Sequence, residues 1–332
     1  MNTRIYLFLI GICLSYSLVG QTYEESPSDF FFSDAAEERS MLMAPSLIST
    51  GMNETYGTLA PSGDEFYFCI KSGFGQSIIV GIRFEDGFWT FPEVLPFSGK
   101  YNDMSPFLSP DGQYLYFVSD RPRNDSRQIK NFNIWRCARK KDNGWDSPEL
   151  IEFSSDSGNE LSVSADRSGN VYFSADYERQ GQALDPNVQD IYCVKKEVDG
   201  SWGPVQKLGR AINSDAIEQT PAISPDGKTL VFSSMRSEGR GAADLYVSFF
   251  QDGQWSPAIN LGEGINSGAY EWCPAFSGDG KWLLFSSNLK NPRPEKVDYQ
   301  NLKKWLLGHG NGAFDIRYIK ASAITRMCSP AK

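Results

Sequence analysis

Five acidic residues recur at one place in a repeated pattern. Glu54, Asp103, Glu160, Glu218 and Glu271 each lie nine positions before the glycine of a tight turn. If the repeats close into a ring, these residues head the innermost strands. Their carboxylates would then encircle one end of a central channel and could hold a polar ligand or a cation such as calcium. The competing reading is structural, with each acid accepting backbone hydrogen bonds or pairing with a base such as Arg121 or Arg236. Five unpaired carboxylates at close quarters would repel, and some would keep their protons. Two carboxylates at a set separation would serve a glycosidase. A polysaccharide lyase would instead need a base such as Tyr177 or Tyr270 beside a neutralising Arg179 or Arg236. Tyr270 and Trp272 flank Glu271; they could stack on a sugar ring, although packing is the commoner use of such rings.

Other catalytic signatures are missing. His309 is the single imidazole of the chain, and general-base or metal roles need it in company. No GxSxG, HExxH or P-loop pattern occurs. The short Gly-x-Gly segments at Gly239 and Gly310 have no helix after them, so they read as loop glycines. The cysteines lack CxxC spacing. Cys69, Cys137 and Cys193 fall inside strand patterns and read as small buried hydrophobes. No catalytic residue, metal or cofactor is therefore assigned. The features present in every repeat should build the fold, and function should lie where the repeats differ.

The positioning elements are plain. Turns at Pro61-Ser62-Gly63, Ser109-Pro110-Asp111-Gly112, Asp166-Arg167-Ser168-Gly169, Ser224-Pro225-Asp226-Gly227 and Ser277-Gly278-Asp279-Gly280 combine a preset φ, a self-bonding Asp and a Gly that accepts φ > 0. Each precedes an aromatic-rich strand ending in Phe68, Phe117, Phe173, Phe232 or Phe285. A third strand follows at Ile78, Asn133, Asp190, Asp244 and Asp315. Four repeats then carry an Asp-Gly or Asn-Gly hairpin running into Trp89, Trp145, Trp202 or Trp255. A Pro-containing outer strand comes next, as an edge allows.

The fifth repeat lacks its outer strand, while Pro45-Ser46-Leu47-Ile48 precedes the first repeat as an outer strand would. A ring closes if that N-terminal strand completes the last unit, which leaves few open edges. The expected fold is all-β: a five-bladed β-propeller of four-stranded antiparallel blades over residues 43–325, with six blades as the alternative.

Here the residues carry a resemblance. Ser-Pro-Asp-Gly, a strand, Ser-x-Arg, Gly-x-Gly-x-x-Asp-[Ile/Leu]-Tyr, Asp-Gly-x-Trp-x-x-Pro and Ile-Asn-Ser together resemble the WD40-like (PD40) repeat of TolB-type propellers. The likeness spans roughly residues 45 to 324 and is fullest in repeats two and four. The ending His309 to Arg317 is similar to the closing repeat of exported members from Bacteroidetes-type bacteria. The resemblance implies the fold and an extracytoplasmic location. It implies no reaction, because propellers host many functions. No TolB-type N-terminal α/β domain is visible in the sequence.

The flanks and loops complete the reading. Arg4, the apolar run Ile5 to Val19 and Gly20-Gln21 read as a signal peptide over residues 1–20, too short to span a membrane. Residues 21–42 read as an acidic, poorly ordered leader and 326–332 as a tail. The formal charge of −9 and the absence of a basic run argue against nucleic acid. Bases nevertheless gather in two loops. Arg121, Arg123, Arg127 and Lys130 oppose Asp120 and Asp125. An insertion from Asn288 to Ala313 has Lys290, Arg293, Lys296, Lys303 and Lys304 against Glu295 and Asp298. Within that insertion Val297 to Leu307 reads as a helix stopped by Gly308. The expected protein is a monomeric, exported (periplasmic or secreted) module that binds a protein or cell-envelope glycan partner through its loop face. A carbohydrate-active enzyme with a funnel site is the alternative.

Overall fold

The computed structural model describes residues 26–73, 75–123, 131–155, 157–177 and 188–327. Its strands form five antiparallel sheets, the blades of a five-bladed β-propeller. The inner strands are Glu54–Leu59, Asp103–Leu108, Glu160–Ala165, Glu218–Ile223 and Glu271–Phe276. Second and third strands follow in chain order within each blade. The outermost strand of blades 1 and 4 is broken into two short pieces.

The expected turn chemistry holds the inner hairpins. In blade 4 the Ser224 hydroxyl donates to Asp226 Oδ1 at 2.6 Å, and Lys228 N donates to the same oxygen at 3.0 Å. Gly227 takes the left-handed conformation (φ 70°) that the turn demands. The Phe residues expected to end the second strands sit two or three residues before those ends, and all are at most 1% exposed. They join five apolar clusters, one between each pair of neighbouring blades. Burying each such side chain is worth roughly 1.5–3 kcal/mol, so the blades are held mainly face to face.

Closure follows the expected scheme with a shifted strand. Met41–Leu42 pairs antiparallel with Asp315–Lys320, Met41 opposite Tyr318 and Leu42 opposite Arg317. Pro45 to Ile48, the expected closing strand, instead forms a turn in which Ser46 has φ 73°. The leader also differs from expectation within its described part. Pro27–Phe31 is a 3-10 helix. Phe31 packs on Trp89 with centroids 4.4 Å apart, and Phe32 stacks on Trp282 at 4.5 Å. These rings cover apolar surface that the blade 1–blade 5 seam would otherwise leave wet. Residues 1–20 and 328–332 lie outside the described residues. Among the described residues no helix is long and apolar enough to cross a membrane.

Candidate functional site

All five acids head their inner strands, and none is more than 1% exposed. The open ring of channel carboxylates is thus not formed. The acids reach into the connections that lead into their strands. Glu218 accepts from Ser214 N (3.0 Å), Ser214 Oγ (2.5 Å), Ser234 Oγ (3.0 Å) and Arg236 Nε (3.2 Å). Glu271 repeats this with Ser267 N, Ser267 Oγ and Ser287 Oγ. Glu160 accepts from Ser154 Oγ, Ser155 N, Ile134 N and Tyr177 Oη; burial still raises its pKa. Asp103 pairs with Arg121 Nη2 at 2.7 Å, and its other oxygen is buried without a partner.

Glu54 has, with Asp103, the fewest donors of the five and, unlike Asp103, no arginine beside it among the described residues. Its Oε1 accepts from the Thr50 hydroxyl, while Oε2 is buried with no partner. Blade 1 has Ile70 and Ser72 where blade 4 has Ser234 and Arg236, so the donors are missing. Burial, opposed by Thr50 and reinforced by nearby Asp315, pushes the Glu54 carboxyl up to about 7. Asp315 is raised as well, chiefly by burial, with His309 acting the other way.

The channel offers little room. A cavity of about 20 Å³ is lined by Tyr56, Phe107, Val163, Ile223, Cys273 and Phe276, among others. That is space for about one water. The lining comes from β-bulges in the inner strands, where Tyr56, Ser105, Thr220 and Cys273 adopt φ between 48° and 57°. Among the described residues no three His, Cys, Asp or Glu side chains gather as a metal site.

The other expected site residues are dispersed. Arg121 and Arg236 are tied to their acids and to carbonyls of the entering connections, Phe97 O at 3.3 Å and Ile212 O at 2.6 Å. Tyr177 takes the place of those arginines in blade 3. Tyr270 and Trp272 pack with Phe314 at 5.9 and 5.8 Å, and Tyr56 lies 5.1 Å from Trp272. The Tyr270 hydroxyl is engaged by Gln219 Nε2. Arg179 lies outside the described residues. Cys69, Cys137, Cys193 and Cys273 are buried free thiols.

The repeats differ most at the blade 1–blade 5 seam. The insertion helix is Tyr299–Leu307, capped by the Asp298 side chain on Asn301 N at 2.9 Å and ending at Gly308. Its C-terminal end rests on the closing segment. A Cβ on Gly51 would meet Leu307 O at 1.7 Å, so only glycine fits there. Asn311 Nδ2 ties the two together by donating to Gly51 O (3.1 Å) and Leu306 O (3.2 Å). Between them lies a cleft of about 520 Å³ lined by Ser46, Thr50, Asn291, Asn301, Lys304, Trp305 and His309, among others. Thr50, in its floor, is the residue that bonds Glu54. The opposite side of the helix exposes Tyr299 (75%) and Leu306 (48%), and Leu307 (65%) is exposed at the edge of the cleft. Sequence reasoning found the helix and its bases but not the cleft, and it set His309 aside.

No family model and no curated protein matches the chain. Solved structures similar to it include TolB from Acinetobacter baumannii at 15% identity and a TM-score of 0.48, covering 88% of this chain and 61% of that one. The chain thus spans less than two thirds of that protein. A putative TolB from Agrobacterium tumefaciens is 16% identical with a TM-score of 0.44, over 81% and 90% of the two chains. An α-L-arabinofuranosidase from Lactobacillus brevis is 12% identical with a TM-score of 0.48, over 82% and 92%. Likenesses this distant carry no activity with them.

Proposed function

We propose that the protein is an exported binding module that engages a protein or cell-envelope glycan partner through its loop face, at the insertion over the seam. One observation carries this reading. The insertion departs from the repeat, and it exposes Leu289, Val297, Tyr299, Leu306 and Leu307 beside Lys296, Lys303 and Lys304. Exposed apolar side chains gathered on one element mark interaction surfaces. The bases give the same element a sign opposite to that of the whole chain, which steers an anionic partner toward it. The funnel enzyme is less well supported, because the five acids are committed inside the blades and the channel holds about 20 Å³. Export rests on the apolar run before Gln21, and cell fractionation measures it directly.

The test is capture from a cell-envelope extract, run beside a polysaccharide-depolymerisation screen. Wild type should retain a partner that the Leu306→Asp/Leu307→Asp variant loses, with no depolymerisation by either. Depolymerisation abolished by Tyr270→Phe would overturn the reading in favour of the enzyme.

A further inference from the structure

We propose that the seam cleft binds a carboxylate carried on a compact ring, the chemistry of an acidic sugar, with Lys304 and His309 meeting the carboxylate and Trp305 the ring. This rests on the loop-face reading and names what that face would recognise.

The first support is electrostatic. The chain has 41 acidic residues, yet no Asp or Glu lines this cleft. The contrast with a second concavity, beside Asp34, Glu37, Glu38 and Glu263, is sharp. Lys304 and His309 both line the seam cleft, and among the described residues neither side chain has an ion pair or a hydrogen bond. A second ammonium, Lys290 Nζ, sits 4.8 Å from the Trp305 ring centroid. A lysine in a cleft whose lining has no carboxylate, with a second ammonium over the neighbouring indole, makes a place where an anion is favoured.

The second support is the fixed position of the ring platform. Trp305 Nε1 donates to Asn291 O at 3.1 Å, and Asn291 is held in turn by Nδ2 donating to His309 O at 3.0 Å. The indole is thus oriented before any ligand arrives, and little ordering cost remains to be met on binding. Its N–H is already used, so what it offers is its apolar ring, suited to the face of a sugar. Asn301 lies on the same side of the helix. The volume of about 520 Å³ falls within the range of small-ligand sites.

The third support is what lies beneath the floor. Glu54 and Asp315 would oppose an anion if both were ionised. Burial holds both carboxyls toward their neutral forms, and Thr50 screens Glu54 from the cleft with its own hydroxyl hydrogen bond. The groups that face this pair are Thr50, His309, the Gly310 N–H and, behind Asp315, Arg317. None of them adds a negative charge.

The experiment is calorimetric titration of the whole protein with glucuronate, glucose and acetate at low salt and mildly acidic pH. Glucuronate should bind, with glucose and acetate each weaker by about tenfold or more, the equivalent of about 1.4 kcal/mol. Lys304→Gln and Trp305→Ala should each lower glucuronate affinity by about tenfold, and Trp305→Phe by much less. Thermal melts matching wild type would show that these variants are folded. Absence of glucuronate binding, equal binding of acetate, or affinity unchanged in Lys304→Gln would each overturn the proposal. Envelope capture separates the two levels. Capture that persists while glucuronate fails to bind sinks the ligand class alone. Capture indifferent to Leu306→Asp/Leu307→Asp sinks the loop-face reading.

Discussion

Blades 1 and 4 start from the same design and treat the same carboxylate in opposite ways. In blade 4, Glu218 receives hydroxyl, amide and guanidinium hydrogens and fixes the connection that enters the strand. In blade 1, Glu54 keeps one oxygen buried and alone. The two inner strands carry the same bulge; the difference for the acid lies at and just past the second-strand end, Ser234 and Arg236 against Ile70 and Ser72. A repeated acid is thus a structural clasp where its donors were kept. Where they were lost, at the seam with the insertion, it becomes a group that readily takes a proton.

The largest test of that comparison removes the clasp. Glu218→Ala should strand a buried Arg236 and two serine hydroxyls, and cost about 3–5 kcal/mol in urea unfolding, the range for breaking one partner out of a buried pair. Glu54→Gln keeps the neutral shape and should cost far less. If the two variants lose equal stability, the blades are not different in this respect.

Next comes pH. Glu54 is raised in the folded state, so the native protein binds a proton more tightly than the unfolded chain. The stabilisation is complete below the unfolded carboxyl range and is lost as pH rises through the folded value of about 7. Asp315 shifts in the same direction. Wild type should therefore lose roughly 2–3 kcal/mol relative to Glu54→Gln between mildly acidic and mildly alkaline pH, at 1.36 kcal/mol per unit. Parallel curves for the two proteins would refute the assignment.

Two smaller changes sharpen the contrast. Tyr177→Phe takes one of four donors from Glu160 and should destabilise by about 1–2 kcal/mol, measured by thermal melts with intact circular dichroism. Ile70→Ser installs in blade 1 the hydroxyl found in blades 2, 4 and 5. It should lower the Glu54 pKa by something on the order of one unit, seen by titrating the carboxyl carbon by NMR.

The parts legible in the sequence are those set by near neighbours. Ser224-Pro225-Asp226-Gly227 declares its turn within four residues, and Phe232 declares its strand by alternation. The place of each acid is legible for the same reason. Its burial is not, because Glu160 is satisfied by Ser154, Ser155, Ile134 and Tyr177, which share no motif with the donors of Glu218. The exact closing strand is not legible, since the two residues Met41 and Leu42 suffice to pair and Pro45 with Ser46 forms a turn. The packing of the leader is not legible, because Phe31 and Phe32 meet Trp89 and Trp282 only in the folded chain. The cleft depends on Gly51 meeting Leu307, a contact between opposite ends of the chain, and no local pattern announces it.

Pairing of Met41 and Leu42 with Tyr318 and Arg317 also sets an order of events. The earliest-made piece of the ring has nothing to join until Asp315–Lys320 exists, so the disc cannot complete its last blade before that strand is made. Until then blade 5 lacks its outer strand, and a chain cut short before Asp315 would remain an open crescent with sticky ends.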